Sequence, residues 1–173
     1  MLAKIDPART KVRRSGAFSG KSVLYWMSRD KRVDDNWALL AAQSVALNKK
    51  VPLIVCFQYL GHFPEANIRQ YGFLLKGLLE LKNKLENLNI EFILSQGRSS
   101  EVIPRIIDDK LVGTIITDYS PLRVYKKRVS KVLNRTKIPF YQIDAHNIIP
   151  VWKASSKKEY AAYTIRKKIH DNL

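Results

Sequence analysis

Five short, mostly apolar runs, set apart by stretches of helical periodicity, constrain this chain more than any other feature. The runs are Ser22 to Met27 (SVLYWM), Val51 to Tyr59 (VPLIVCFQY), Ile90 to Leu94 (IEFIL), Val112 to Thr117 (VGTIIT) and Pro139 to Ile143 (PFYQI). They are rich in β-branched and aromatic residues and are bounded by breakers, which predicts strands. Most are continuous rather than alternating, the pattern of strands covered on both faces. The intervening segments read as helices. One runs from about Asp35 to Leu47, with Trp37, Leu40, Ala41 and Val45 near one face and Asp34 or Asp35 as its cap. A long one spans Ala66 to Leu88, where Tyr71, Leu74, Leu75, Leu78, Leu85 and Leu88 recur at helical spacing. Three more are predicted at 99–110, 124–135 and 157–172. The first of these has Pro104 in its pattern, which belongs in a first turn. Strands that alternate with helices and are buried on both sides imply an α/β fold, a Rossmann-like five-stranded parallel sheet wrapped by helices on both faces.

A length of 173 residues suits one such domain. The chain divides into a basic N-terminal arm (1–21), the α/β domain (22–156) and a terminal helix or linker start (157–173). Only Cys56 is a cysteine, so no intrachain disulfide can form and no thiolate zinc cage is available. That usage fits a reducing cytosol, and a cytoplasmic protein is expected. No run approaches the roughly 20 apolar residues of a membrane span. Cys56 sits mid-strand with no positive neighbour and is expected in the core. Trp26, Trp37 and Trp152 are likewise expected in packing roles. His62, His146 and His170 are too scattered to suggest a metal site.

The net charge is +16, and its placement is uneven. Residues 1–21 carry +5, residues 121–138 carry +7 and residues 153–173 carry +4, leaving the remainder balanced. Charge of about 2–8 suffices for the solubility of a small domain. The excess therefore reads as surfaces facing a polyanion, the alternative being a solvated, solubilising surface. The densest group lies on the helix from 124 to 135. There Lys126, Lys127, Lys131 and Arg135 are candidates for weak electrostatic contact with DNA.

In a doubly wound sheet, ligands bind beyond the carboxyl ends of strands where the strand order reverses. That points to the loops Ser28–Asp34 and Asp118–Arg123. Neither contains a glycine, and neither GxGxxG nor GxxxxGK[ST] occurs in the chain. Ordinary dinucleotide binding and P-loop hydrolysis are disfavoured. Arg29 and Asp30 could form a polar ligand mouth or a salt-linked loop. Asp118 could accept hydrogen bonds from a heterocycle or cap the following helix.

The block from Val23 to Leu39 (VLYWMSRDKRVDDNWAL) resembles the opening of the photolyase/cryptochrome N-terminal domain. Its YWMSRD resembles class II cyclobutane pyrimidine dimer photolyases in particular. Three further blocks fit in the same order: Ile68 to Leu78 (IRQYGFLLKGL), Thr117 to Arg123 (TDYSPLR) and Asp144 to Trp152 (DAHNIIPVW). Lys158 to His170 resembles the exit from that domain. The resemblance implies a sheet order of 3-2-1-4-5. It also implies a crevice for an antenna chromophore, 8-hydroxy-5-deazaflavin or a folate, with Arg29, Asp30, Asp118, Tyr119 and Arg123 at motif positions. FAD and the lesion pocket would lie in a separate helical domain, expected to be absent from this chain, which alone would not repair DNA. Two other readings stay open: a stand-alone Rossmann-like ligand-binding module, and a non-catalytic basic nucleic-acid binder.

Overall fold

The computed structural model describes residues 5–59 and 67–173. His62, the breaker Gly61, the expected helix start at Ala66 and the first four residues of the arm lie outside them. The five expected strands are all present: β2 (Ser22–Met27), β3 (Leu53–Tyr59), β4 (Glu91–Gln96), β5 (Val112–Asp118) and β6 (Phe140–Ile143). A sixth, β1 (Thr10–Arg14), precedes them. The order across the sheet is β1-β6-β5-β2-β3-β4. The five later strands thus keep the expected order and pair in parallel, while β1 adds antiparallel to β6.

Every residue of β2 is buried, as a central strand of a covered sheet requires. Val23, Tyr25 and Met27 face one core with α1 (Trp37–Lys49) and α2 (Ile68–Glu86). Leu24 and Trp26 face the other, with α3 (Ser99–Asp109) and α4 (Arg123–Leu133). Full burial of Val23 and Leu24 contributes roughly 1.5–3 kcal/mol each. Cys56 is fully buried among these side chains, and burial pushes its thiol up to about 12.

The N-terminal arm is the main correction to the sequence reading. TKVRR offers one apolar residue, Val12, which stays exposed, so periodicity could not mark it as a strand. What orders it is the open edge of β6. Arg9 donates to the carbonyls of Asp144, Asn147 and Ile148 at 3.1, 2.7 and 2.8 Å. Arg14 donates to the carbonyls of Thr136 and Leu133. Part of the arm's charge is therefore spent on backbone acceptors. Farther along, the chain crosses β5 so closely that a Cβ on Gly20 would lie 2.3 Å from the Gly113 nitrogen. Only glycine fits there.

The helices also differ in detail. Asn36, not Asp34 or Asp35, caps α1, accepting from the amides of Ala38 and Leu39 at 3.1 and 3.0 Å. Asp35 takes φ +49° and cannot serve as an extended cap. The inward face of α1 is its alanine face, Ala38, Ala41, Ala42 and Ala46, with Leu39; Trp37, Leu40 and Val45 are only half-buried. Small side chains let this helix lie close against the sheet. On α2 the buried positions are Leu78, Leu81 and Leu85, and Leu75 is exposed.

Pro104 lies beyond the first turn of α3, as its sixth residue. A proline there removes the amide that would bond the carbonyl of Ser100. Arg135, just past α4, supplies the missing donor at 3.1 Å. The C-terminal segment is a short helix, α5 (Val151–Ala154), followed by α6 (Ala162–His170), which starts later than expected.

Candidate functional site

The site is shaped first by Asp118, the last residue of β5, which is 3% exposed. Its Oδ2 accepts from the amides of Ser28 and Arg29, both at 2.7 Å, and from the Ser28 hydroxyl at 3.2 Å. Its Oδ1 accepts from the Tyr25 hydroxyl at 2.7 Å. Burial raises the Asp118 pKa, and the hydrogen bonds pull it back. The Tyr25 hydroxyl is pushed well up by burial and by Asp118. Asn36 completes the cluster by donating to the carbonyls of Asp30 and Arg32 at 3.1 and 3.0 Å. The tip of β5 is thus fastened to the loop after β2, and the crevice between these strands is filled by protein.

The opening falls one strand over, at the carboxyl ends of β2 and β3. A cavity of about 290 Å³ lies there between α2 and α4. Aromatic walls come from Trp26, Phe57, Tyr59, Tyr71 and Tyr125. Tyr59 and Tyr71 meet edge to face with centroids 5.9 Å apart. Gln58 is held from behind: its Oε1 accepts from the Ser99 hydroxyl at 2.8 Å, and its Nε2 donates to the carbonyl of Gly97. Two cations reach the rim. The Lys31 ammonium lies 5.3 Å from the Phe57 ring centre, and partial desolvation lowers its pKa against the pull of Asp118 and Asp30. The Arg128 guanidinium lies 5.2 Å from the Tyr125 ring centre. Flat aromatic walls with cations at the rim suit a planar heterocycle bearing negative charge or acceptor oxygens. Among the described residues no group of His, Cys, Asp and Glu side chains could hold a metal ion. None of their helices is long and apolar enough to cross a membrane.

A sequence profile described as DNA photolyase matches residues 23–173. The chain belongs to the DNA photolyase family. It is 48% identical over 155 residues to the deoxyribodipyrimidine photo-lyase of Potorous tridactylus, covering 88% of this chain and 29% of that protein. With the deoxyribodipyrimidine photo-lyase of Arabidopsis thaliana it shares 39% identity, over 98% of this chain and 36% of that protein. This photolyase-family chain therefore spans about a third of the relatives it matches. Among solved structures, a bacterial class III photolyase from Agrobacterium tumefaciens superposes with a TM-score of 0.59 at 19% identity, over 75% of this chain and 26% of the other. A Synechocystis cryptochrome gives 0.58 at 18%, over 66% and 24%. These two establish the shared fold.

Within this photolyase fold the five residues singled out in the sequence are not among those that line the cavity. Asp118 is internal and caps no helix; Leu122 precedes α4 without a side-chain cap. Asp30 is buried, with Oδ1 3.2 Å from Nδ1 of His146 and Oδ2 without a hydrogen-bond partner among the described residues. Tyr119 packs edge-on against Trp152 at 5.0 Å, its hydroxyl pKa raised by burial and by Asp144. Arg29 sits half-buried near Tyr119, and Arg123 opens α4 in solvent. From the expected loops, Ser28 and Lys31 do reach the cavity. The cavity is also lined by the aromatic end of β3 and the tyrosines of α2 and α4, which the sequence reading had not singled out as site residues. The available signal was the FQY that ends the second apolar run, which places rings at a strand's carboxyl end.

Proposed function

We propose that this chain is the light-collecting α/β domain of a class II photolyase, an enzyme that repairs cyclobutane pyrimidine dimers in DNA. The observation that carries this reading is the aromatic cavity at the ends of β2 and β3, with Lys31 and Arg128 at its rim. An antenna chromophore of the deazaflavin or folate type fits such walls, and when bound it would supply absorption of light and transfer of excitation. Trp26, Phe57, Tyr59 and Tyr125 would stack on or flank its rings. Lys31 and Arg128 would meet its carbonyl or anionic groups. Asp118 and Asp30 would act as positioning groups that hold the Ser28–Lys31 loop, and Arg29, Tyr119 and Arg123 would flank the entrance. FAD and electron transfer to the dimer would belong to a helical domain that this chain partners.

The basic excess supports an accessory role toward DNA. Lys126, Lys127, Lys131 and Arg135 would attract the phosphate backbone weakly and without sequence preference, with affinity falling as salt rises. Reconstitution with 8-hydroxy-5-deazaflavin tests the main reading. Saturable binding, followed by fluorescence, is expected in the parent and should weaken at least about tenfold in Tyr59→Ala/Tyr125→Ala. Unchanged affinity in that variant would place the chromophore elsewhere.

A further inference from the structure

We propose that the cavity's ligand carries an anionic tail, seated in the groove between the start of α3 and the outer flank of α4. This rests on the reading of the aromatic cavity as a ligand site and adds the chemical class of what it takes. Arg128 is the decisive residue, because it lines both the aromatic cavity and the adjoining groove. The groove comprises two hollows of about 180 and 330 Å³ that share Ser100 as well as two cations in their linings. Arg98 and Lys131 line both, and Arg135 lines the larger.

The helix geometry of α4 sets this alignment. Tyr125, Arg128 and Lys131 are spaced by three, which keeps them along one flank, and Arg135 follows just past the helix end. Lys126, two positions before Arg128, turns to the opposite flank. At 1.5 Å rise per residue, Arg128 to Lys131 covers about 5 Å, and Arg135 carries the row beyond the helix end. A row of cations thus leads from the aromatic walls outward for the length of a short polyanionic chain. Among the described residues the only carboxylate lining the groove is Glu101, whose oxygen stands 3.8 Å from Arg98. Among the described residues Arg128 and Lys131 form no ion pair. Four cations against one carboxylate repel one another until an anion lies between them. Phosphate or carboxylate groups on the ligand would satisfy them with charge-assisted hydrogen bonds.

Riboflavin and flavin mononucleotide are the probes, since they share the ring and differ only in a terminal phosphate. Titration of the full chain by fluorescence at low salt should show flavin mononucleotide binding about tenfold more tightly, the worth of one charge-assisted contact. Arg98→Glu/Lys131→Glu should erase that advantage and leave riboflavin affinity unchanged. Arg128 is spared because it also walls the cavity, and Arg135 because it serves the Ser100 carbonyl. Equal affinity for the two flavins in the parent, or a preference that survives the charge reversal, would overturn the tail while leaving the cavity reading intact. Failure of riboflavin itself to bind would remove the cavity reading, and the tail with it. If the reversal abolished binding of a short DNA duplex and left the flavin preference untouched, the groove would be a nucleic-acid surface and the proposal would fall.

Discussion

Removing the Asp118 carboxylate should reveal how much of the domain depends on one internal staple. In Asp118→Ala, the Tyr25 hydroxyl and the amides of Ser28 and Arg29 lose a common acceptor. A buried donor left without a partner costs about 1–3 kcal/mol. Ser28 and Arg29 are only half-buried, so water can reach part of the gap. The substitution also removes a carboxylate whose raised pKa shows that its charge is disfavoured in the fold. The net loss should be about 3 kcal/mol, or roughly 6–12 °C in Tm for a domain of this size. Asp118→Asn should lose only about 1 kcal/mol. Its amide oxygen can take the Ser28 and Arg29 amides, and its NH₂ can donate to Tyr25, whose own proton then turns to Asn36 Oδ1 3.5 Å away. The pH dependence has a definite sign. A carboxylate with a raised folded pKa contributes stability below its unfolded value of 3.8 that is lost as pH rises through the folded value. The gap between parent and Asp118→Asn should therefore narrow from pH 4 to pH 7. Urea unfolding followed by tryptophan fluorescence measures all three proteins. If Asp118→Ala matched the parent within about 0.5 kcal/mol, or Asn cost as much as Ala, the staple would not be organising this end of the sheet.

Other outcomes follow from particular contacts. Arg135→Met should cost about 1 kcal/mol in the parent but nearly nothing in a Pro104→Ala background, where residue 104 regains an amide for the Ser100 carbonyl; an additive double-mutant cycle would show that Arg135 does not compensate for the proline. Hydrogen bonds from Lys168, Ser155 and Thr164 hold Glu159 down to about 2, so its stabilising effect is present above its ordinary 4.5 and lost as pH falls toward 2. Glu159→Gln should flatten the acid sensitivity of α6 between those pH values, read by circular dichroism, and an unchanged acid profile would exclude this contact as its source. Deleting residues 1–15 uncovers the β6 edge and should raise self-association measured by light scattering, whereas a monodisperse, equally stable product would show that β1 is dispensable.

The alternation of apolar runs with helical periods was enough to specify five strands, their parallel sense and the helices between them. Those features depend on burial repeating along the chain itself: Val23 to Met27 are apolar, and Val112 to Thr117 carries no charge, because both faces are covered. Family resemblance was equally legible, since blocks such as YWMSRD and TDYSPLR lie in contiguous sequence. The rest depended on contacts between distant segments. TKVRR becomes a strand because β6 offers an edge, and nothing within those five residues says so. Pro104 is tolerated inside α3 because a guanidinium more than thirty residues later reaches the orphaned carbonyl. The position of the cavity depended on such contacts too. The switch point of the sheet pointed to the loops after β2 and β5; there Asp118 bonds across to the amides of Ser28 and Arg29, and the cavity opens beside β3. Periodicity records which side of an element is buried. Which residue plugs a gap and which leaves one open is decided only when the strands stand side by side.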